Sequence, residues 1–392
     1  MKKSYLMIAA AAALFAACSS NDTFKESINE NDQKPFTFTA YADKVTKAPN
    51  TNSTSLQDFY TVFGVYGFKN VTRNGTATDE TVFSNVPNEF FATDAKGSTV
   101  YKTDGTKPSD EWTFVANSWY YEDVRYWDKM ANSYSFFAIA PYEASPAPAL
   151  DVEATDDNIK IGSSSAKYDI STEKNLAIAG TPTAVPQAEL TYSGFNKDYM
   201  LAAKNDARTS DVTLVFNHIL AKLNVKIVKA ATYKGKQELK INELKIEGLA
   251  KKGYYEYNTN FTTKGWTTDE TYARDIATNY SLTAATNYDG CYWLETLMFP
   301  QTTKCYKLGA QATSTGLSDM YLYIKYQIGS ETYEAYYDFA AIWIGNTAAV
   351  NDEFSFAQGS EYTLTLTVGP DPIHFAAQVT QWAQVEKDLT VN

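Results

Sequence analysis

Short runs in which apolar and polar residues alternate, each closed by a cluster of turn formers, recur from Phe36 almost to the end of the chain. A period of two sends every second side chain to one face, which suits a half-buried strand and spoils a helix. Phe36 to Tyr41 puts Phe36, Phe38 and Ala40 on one face. Tyr60 to Gly67 and Tyr134 to Ala140 follow, the latter stopped by Pro141. Further runs are Trp119 to Tyr121, Tyr199 to Ala202, Val212 to Val228, Leu239 to Ile246 and Tyr292 to Phe299. The last four are Met320 to Gln327, Tyr333 to Phe339, Tyr362 to Val368 and Ile373 to Val379. Asn74-Gly75, Asp104-Gly105 and Asp289-Gly290 are turn signals between them. With 29 tyrosines and plentiful Thr and Val, the composition favours pleated surfaces as well.

Many short strands without a repeating helical partner predict an all-β protein of packed sandwiches rather than βαβ units. Asn217 to Lys222 reads as strand, because Val212, Leu214 and Phe216 alternate into it. Phe339 to Ile344 is apolar throughout and fits either a turn of helix or a covered strand. Asn70 to Asp110 and Glu143 to Gln187, rich in Thr, Ser, Asp, Gly and Pro, read as long loops. A chain this long suits two domains. The polar stretch Lys204 to Asp211 divides it into residues 35–209 and 210–392.

The N-terminus sets the compartment. Lys2 and Lys3 precede an apolar stretch from Leu6 to Phe15, too short to span a bilayer comfortably, and Ala16 and Ala17 precede Cys18. Residues 1–17 thus read as a signal peptide. The order up to Cys18 resembles a bacterial lipobox, which makes Cys18 the lipidation site and the outer membrane the partner of its acyl chains. An ordinary secretory signal with an incidental cysteine is the alternative. Residues 18–34 are polar and mixed in charge and read as a flexible tether. The formal net charge of −12, or −14 once Lys2 and Lys3 leave, is wrong for a nucleic-acid partner, which needs clustered Lys and Arg.

Nothing in the sequence points to catalysis. His218 and His374 are the only histidines, no Cys/His spacing suits a metal, and neither a nucleophile elbow nor a phosphate-cradling glycine loop is present. No cofactor is implied. The acid pairs Asp156-Asp157 and Asp352-Glu353 read as solvated turns, and His218 as a hydrogen-bonded histidine at a strand surface or domain junction. The turn signal between Cys291 and Cys305 lies past their midpoint, so two separately buried thiols are expected, with a disulfide between them as the alternative. Trp119, Trp127 and Trp382 read as packing residues, with a sugar-stacking platform as the second reading.

Taken in order, several segments resemble the fimbrillin family, the Bacteroidales type V pilus subunits and related lipoproteins. They begin with Pro35 to Ala48, Phe63-Gly-Val-Tyr-Gly67, Trp119-Tyr-Tyr and Tyr126-Trp127, then Tyr134 to Pro141. Asp198 to Ala202, Val212 to Leu223, Leu244 to Leu249 and Phe299-Pro-Gln301 follow, then Gly359 to Leu366 and Val379 to Trp382. The resemblance implies two tandem transthyretin-like (Ig-like, Greek-key) β-sandwich domains and a place in cell-surface fimbriae. Its partners would be other fimbrial subunits. In family stalk subunits a protease cuts after a basic residue, removes the first strand and opens a groove that a neighbour's C-terminal strand fills. Carried over, Phe36, Phe38 and Ala40 form the displaced strand, and Ile373, Phe375, Ala377 and Val379 the donor strand. Family processing favours Arg, whereas this chain offers Lys44 and Lys47, with the first downstream arginine at Arg73. An accessory subunit that keeps its first strand is one alternative, and a monomeric surface lipoprotein that binds host or dietary glycans is another.

Overall fold

The computed structural model describes residues 35–42, 54–55, 60, 62–93, 100–102, 118–123, 125–142, 152–172, 176–179, 198–205, 211–230, 238–258, 264–282, 292–305, 320–345, 348–369 and 373–381. Among the described residues the chain is all-β apart from single helical turns. The strands of its first half are β1 (Thr37–Ala42), β2 (Thr54–Ser55), β3 (Val62–Arg73), β4 (Thr76–Thr93), β5 (Val100–Lys102), β6 (Ser118–Tyr120) and β7 (Ala131–Ala140). β8 (Val152–Ala154), β9 (Asn158–Ile161), β10 (Tyr168–Asp169), β11 (Leu176–Ala179), β12 (Met200–Asn205) and β13 (Asp211–His218) follow. Then come β14 (Ala221–Lys229), β15 (Leu239–Asn258), β16 (Lys264–Leu282), β17 (Tyr292–Met298), β18 (Gln301–Lys304), β19 (Tyr321–Ile328) and β20 (Glu331–Asp338). The helix α1 (Phe339–Ile344) precedes β21 (Glu353–Phe356), β22 (Ser360–Val368) and β23 (His374–Gln381).

The first core lies between a β1–β13 layer and a β7–β3–β4 layer. Phe36, Phe38, Ala40, Val212, Leu214 and Phe216 from one side meet Phe63, Val65, Phe83 and Phe136 from the other. The strands β7 and β3 are buried on both faces, as their nearly unbroken apolar runs require. Phe136 and Ala138 face the first core, whereas Phe137 and Ile139, with Tyr66 and Phe68, face a second cluster behind the sheet. Gly67 has no room for a side chain, because a Cβ there would stand 2.7 Å from the Phe83 ring and 3.0 Å from that of Phe136. Asn74 and Gly75, at φ of 50° and 79°, make the two-residue turn joining β3 to β4.

The next core lies between β17–β14–β22–β23 and β16–β15–β19–β20. Leu223, Val225, Leu364 and Leu366 on one sheet pack with Ile241, Leu244, Leu322 and Ile324 on the other. The chain crosses between the cores within two residues, Ile219 and Leu220. Ile219 donates its N–H to the Tyr199 carbonyl (3.0 Å), and the Leu220 carbonyl accepts from Gly359 N–H (2.9 Å). The run Val212 to Val228 is therefore two strands, and the first core draws on Val212, Leu214 and Phe216, which lie past residue 209. At α1, Asp338 Oδ1 accepts the Ala341 N–H at 3.0 Å and Gly345 closes the turn at φ 84°, which decides for helix between the two readings of this segment.

Two segments read as loops contain strands. Asn70 to Asp110 carries the end of β3, all of β4 and β5; Thr76 to Glu80 have no buried face, so no apolar alternation marks them. Glu143 to Gln187 carries β8 to β11. There β9 and β10 pair with β15, β11 pairs with β17, and Ile159, Ile161, Tyr168 and Ile170 are buried at the seam between the cores. Cys305 is buried, its N–H donated to the Asp352 carbonyl at 2.7 Å; Cys291 lies outside the described residues. Among the described residues no helix is long and apolar enough to cross a membrane.

Candidate functional site

The first strand fills a groove in the first core. β1 runs parallel to β13, in register from Thr37 opposite Asp211 to Ala42 opposite Phe216, and meets β2 at Tyr41 and Ala42. Its alternation is the one read from the sequence: Phe36, Phe38, Ala40 and Ala42 are each 3% exposed or less, whereas Thr37 and Thr39 face solvent. Phe36 sits in a cage of rings, 4.2 Å from the Trp127 centroid and 5.4 to 5.6 Å from those of Phe83, Tyr134 and Phe136. Phe38 packs against Phe83 at 5.5 Å and against Tyr121 and Phe136 at 5.8 Å.

One end of β1 is clamped by the segment 121–128. The Phe36 N–H donates to the Arg125 carbonyl at 3.0 Å, and the Tyr121 hydroxyl donates to the Phe36 carbonyl at 3.2 Å. Burial pushes the Tyr121 phenol up to about 12, against the opposing influence of Arg125, so it remains a neutral donor. The Arg125 guanidinium lies 4.8 Å over the Phe83 ring. Lys69 and Asp128, paired at 2.8 Å, fix the far side of the clamp, where the Tyr134 hydroxyl accepts the Asp128 N–H at 2.7 Å. Sequence reasoning missed Tyr121, Arg125, Phe83 and Phe136 as groove residues. The Trp119-Tyr-Tyr and Tyr126-Trp127 pieces were the available signal. Trp119 is 7% exposed in the first core and Trp127 packs on Phe36, so neither offers an open platform for sugar.

β13 depends on β1. Among the described residues β12 meets β13 only at Asn217 and His218, so Asp211 to Phe216 find their ladder partners in β1. Removing β1 would bare those backbone groups beside an open aromatic core. Two phenylalanines at roughly 1.5–3 kcal/mol each and two alanines at about 0.8 kcal/mol each put the lost burial at roughly 5–8 kcal/mol.

The last strand has the opposite character. β23 pairs antiparallel with β22 from His374 opposite Thr367 to Gln381 opposite Ser360, and among the described residues no strand lies beyond it. Directly opposed residues share a face, so Ala377 and Val379 lie on the same side as the buried Leu364 and Tyr362. Both are nevertheless exposed, Val379 to 52%. Ile373 is buried in the second core, and Phe375 opposes Leu366. In the second core the opening strand β14 pairs parallel with β22, as β1 does with β13 in the first.

The remaining candidates are structural. His218 Nδ1 stands 3.3 Å from Asp198 Oδ1 at the seam, and the Asp198 carbonyl accepts the Tyr60 hydroxyl at 2.7 Å. Asp352 accepts the Ala349 N–H at 2.6 Å, Glu353 pairs with Lys304 at 3.0 Å, and burial with neighbouring Asp79 and Asp157 raises the Asp156 carboxyl. Among the described residues no group of three or more His, Cys, Asp or Glu is placed to hold a metal. Cys18, Lys44, Lys47 and Trp382 lie outside the described residues.

Compared with protein families, the chain matches the model described as fimbrillin-like over residues 46–382. The chain belongs to the fimbrillin-like family. The matched span starts just past β1. None of the curated proteins matches the sequence. Among solved structures, this fimbrillin-like chain is similar to a fimbrial protein from Bacteroides vulgatus, at 14% identity and a TM-score of 0.46, covering 89% of this chain and 100% of that one. It is also similar to the C-terminally truncated tip fimbrial protein Mfa3 from Porphyromonas gingivalis, at 11% identity and a TM-score of 0.36, again over 89% and 100%.

Proposed function

We propose that this fimbrillin-like chain is a structural or accessory subunit of cell-surface fimbriae, exported as a lipoprotein on Cys18 and assembled by strand exchange. Cleavage after Lys47 or Lys44 frees β1, and the β23 segment of another subunit takes its place. The observation that carries this reading is the match between groove and donor. The groove accepts Phe, Phe, Ala and Ala at alternate positions. The donor offers Ile373, Phe375, Ala377 and Val379 in the same spacing, with its two bulkiest ring and branched side chains first. Inserted parallel to β13, such a strand restores the ladder and refills the core, a gain that drives strand addition at any bared edge. In this reading residues 35–209, extended by β13, form one transthyretin-like sandwich and the rest of 210–392 the other.

Mass spectrometry of the chain taken from the surface of the cells that make it tests processing. The reading expects a lipidated Cys18 in the precursor and a mature N-terminus just after Lys44 or Lys47. A surface-exposed, assembled chain whose N-terminus is an unlipidated residue upstream of Pro35 would overturn it.

A further inference from the structure

A cavity of about 180 Å³ opens at the seam between the two cores, where β12, β13, β15, β16 and the turn before β22 converge. Leu201, Val215 and Ile219 give it an apolar lining, shared with Tyr257 and the fully buried Tyr255. The polar groups are few and differ in kind. Gln358 lines the cavity, and its Oε1 accepts the Tyr255 hydroxyl at 3.4 Å, a bond that leaves its amide N–H groups unused. Asn217 Nδ2 donates to the Val215 carbonyl at 3.2 Å, which leaves its side-chain oxygen to accept. The ammonium of Lys264 stands 6.0 Å over the Tyr257 ring, and it makes no ion pair among the described residues. Among the described residues no Asp or Glu lines the cavity.

That inventory selects a ligand class. One cation without a carboxylate partner among the described residues, in a chain of net charge −12, marks a place for a single negative charge. An apolar and aromatic lining suits a compact, partly apolar body, and one amide donor with one amide acceptor suits hydroxyl groups of mixed polarity. The volume is below that of a pocket for a drug-sized ligand (about 300 Å³ or more) and suits one six-membered ring.

We propose that the seam pocket binds an acidic monosaccharide unit, its carboxylate on Lys264, its ring against Tyr257, and its hydroxyls on Asn217 and Gln358. β1 and β23 contribute nothing to the lining, so this inference stands or falls independently of strand exchange. A side chain of Asp or Glu from a protein partner would use Lys264 but leave both amides idle.

Isothermal titration of the full mature chain with D-glucuronate and with N-acetylneuraminate, against glucose and N-acetylglutamate, tests it. At least one sugar acid should bind about tenfold or more tighter than either control. Lys264→Met should weaken that binding by about tenfold or more, in line with loss of a hydrogen bond to a charged group. Asn217→Ala should weaken it by a smaller factor, and Lys325→Met on β19 should leave it unchanged. Binding of neither sugar acid, equal binding of glucose, N-acetylglutamate binding as tightly as the sugar acids, or indifference to both pocket substitutions would overturn the proposal.

Discussion

Phe36→Ala is the sharpest probe of how firmly β1 is seated. The side chain is 1% exposed and packs on Trp127, Phe83, Tyr134 and Phe136, with centroids between 4.2 and 5.6 Å. Lost burial of the ring costs roughly 1.5–3 kcal/mol, and the cavity left among four rings brings the total to about 4 kcal/mol. Measured Phe→Ala costs of about 3–5 kcal/mol in protein cores agree with that figure. The expected loss is about 4 kcal/mol, or roughly 10 °C in the melting temperature of the sandwich concerned. Guanidinium titration followed by tryptophan fluorescence suits the measurement, because Trp127 touches the altered residue. Thr39→Ala is the control; its hydroxyl bonds Thr213 at an exposed position (3.2 Å), so it should cost below about 1 kcal/mol. A Phe36→Ala variant that loses less than about 1 kcal/mol would refute the argument that β1 fills a tightly packed groove.

Three further substitutions test other parts of the account. Lys222→Met leaves the buried Glu295 and the half-buried Glu361, 3.4 and 3.5 Å from the ammonium, without that cation. It should cost about 3–5 kcal/mol in a denaturation experiment, with partial recovery when both glutamates become Gln. Gly67→Ala should destabilise by about 1–3 kcal/mol by calorimetry, since the new Cβ meets Phe83 and Phe136. Burial acts to raise the Asp128 carboxyl, but Lys69 and the Met130 N–H outweigh it and hold it below 3.8. The folded value is therefore below the unfolded one. Its contribution is present above pH 3.8 and is lost as pH falls through the folded value. Denaturation midpoints between about pH 5 and pH 2 should fall less steeply in Asp128→Asn than in the parent chain.

Where one face of a strand is apolar and the other polar, the sequence was legible. Phe36 to Tyr41, Met320 to Gln327 and Tyr362 to Val368 show that pattern and lie within a residue or two of β1, β19 and β22. Three kinds of strand escaped. The tip of the β3–β4 hairpin has no buried face, so Thr76 to Glu80 carry no apolar signal. β15 continues past Ile246 to Asn258, where Lys251, Lys252 and Gly253 interrupt its pattern and two register shifts fall before them. β9 to β11 are short pieces whose partners lie some 80 to 120 residues away in β15 and β17, and no local pattern encodes such pairing. The same holds at the groove. The alternation of Phe36, Phe38 and Ala40 was readable, but the clamp of Tyr121, Arg125 and Trp127 arises from contacts about 85 to 90 residues distant.

The claim that β1 leaves and another subunit's β23 replaces it can be measured directly. The purified chain is cut after Lys47, and its assembly is followed by electrophoresis in mild denaturant, beside a cut chain ending at Asp371. The account predicts denaturant-resistant ladders from the cut full-length chain and none from the truncated one. Cut full-length chains that remain monomeric, or ladders that form equally well without β23, would contradict it.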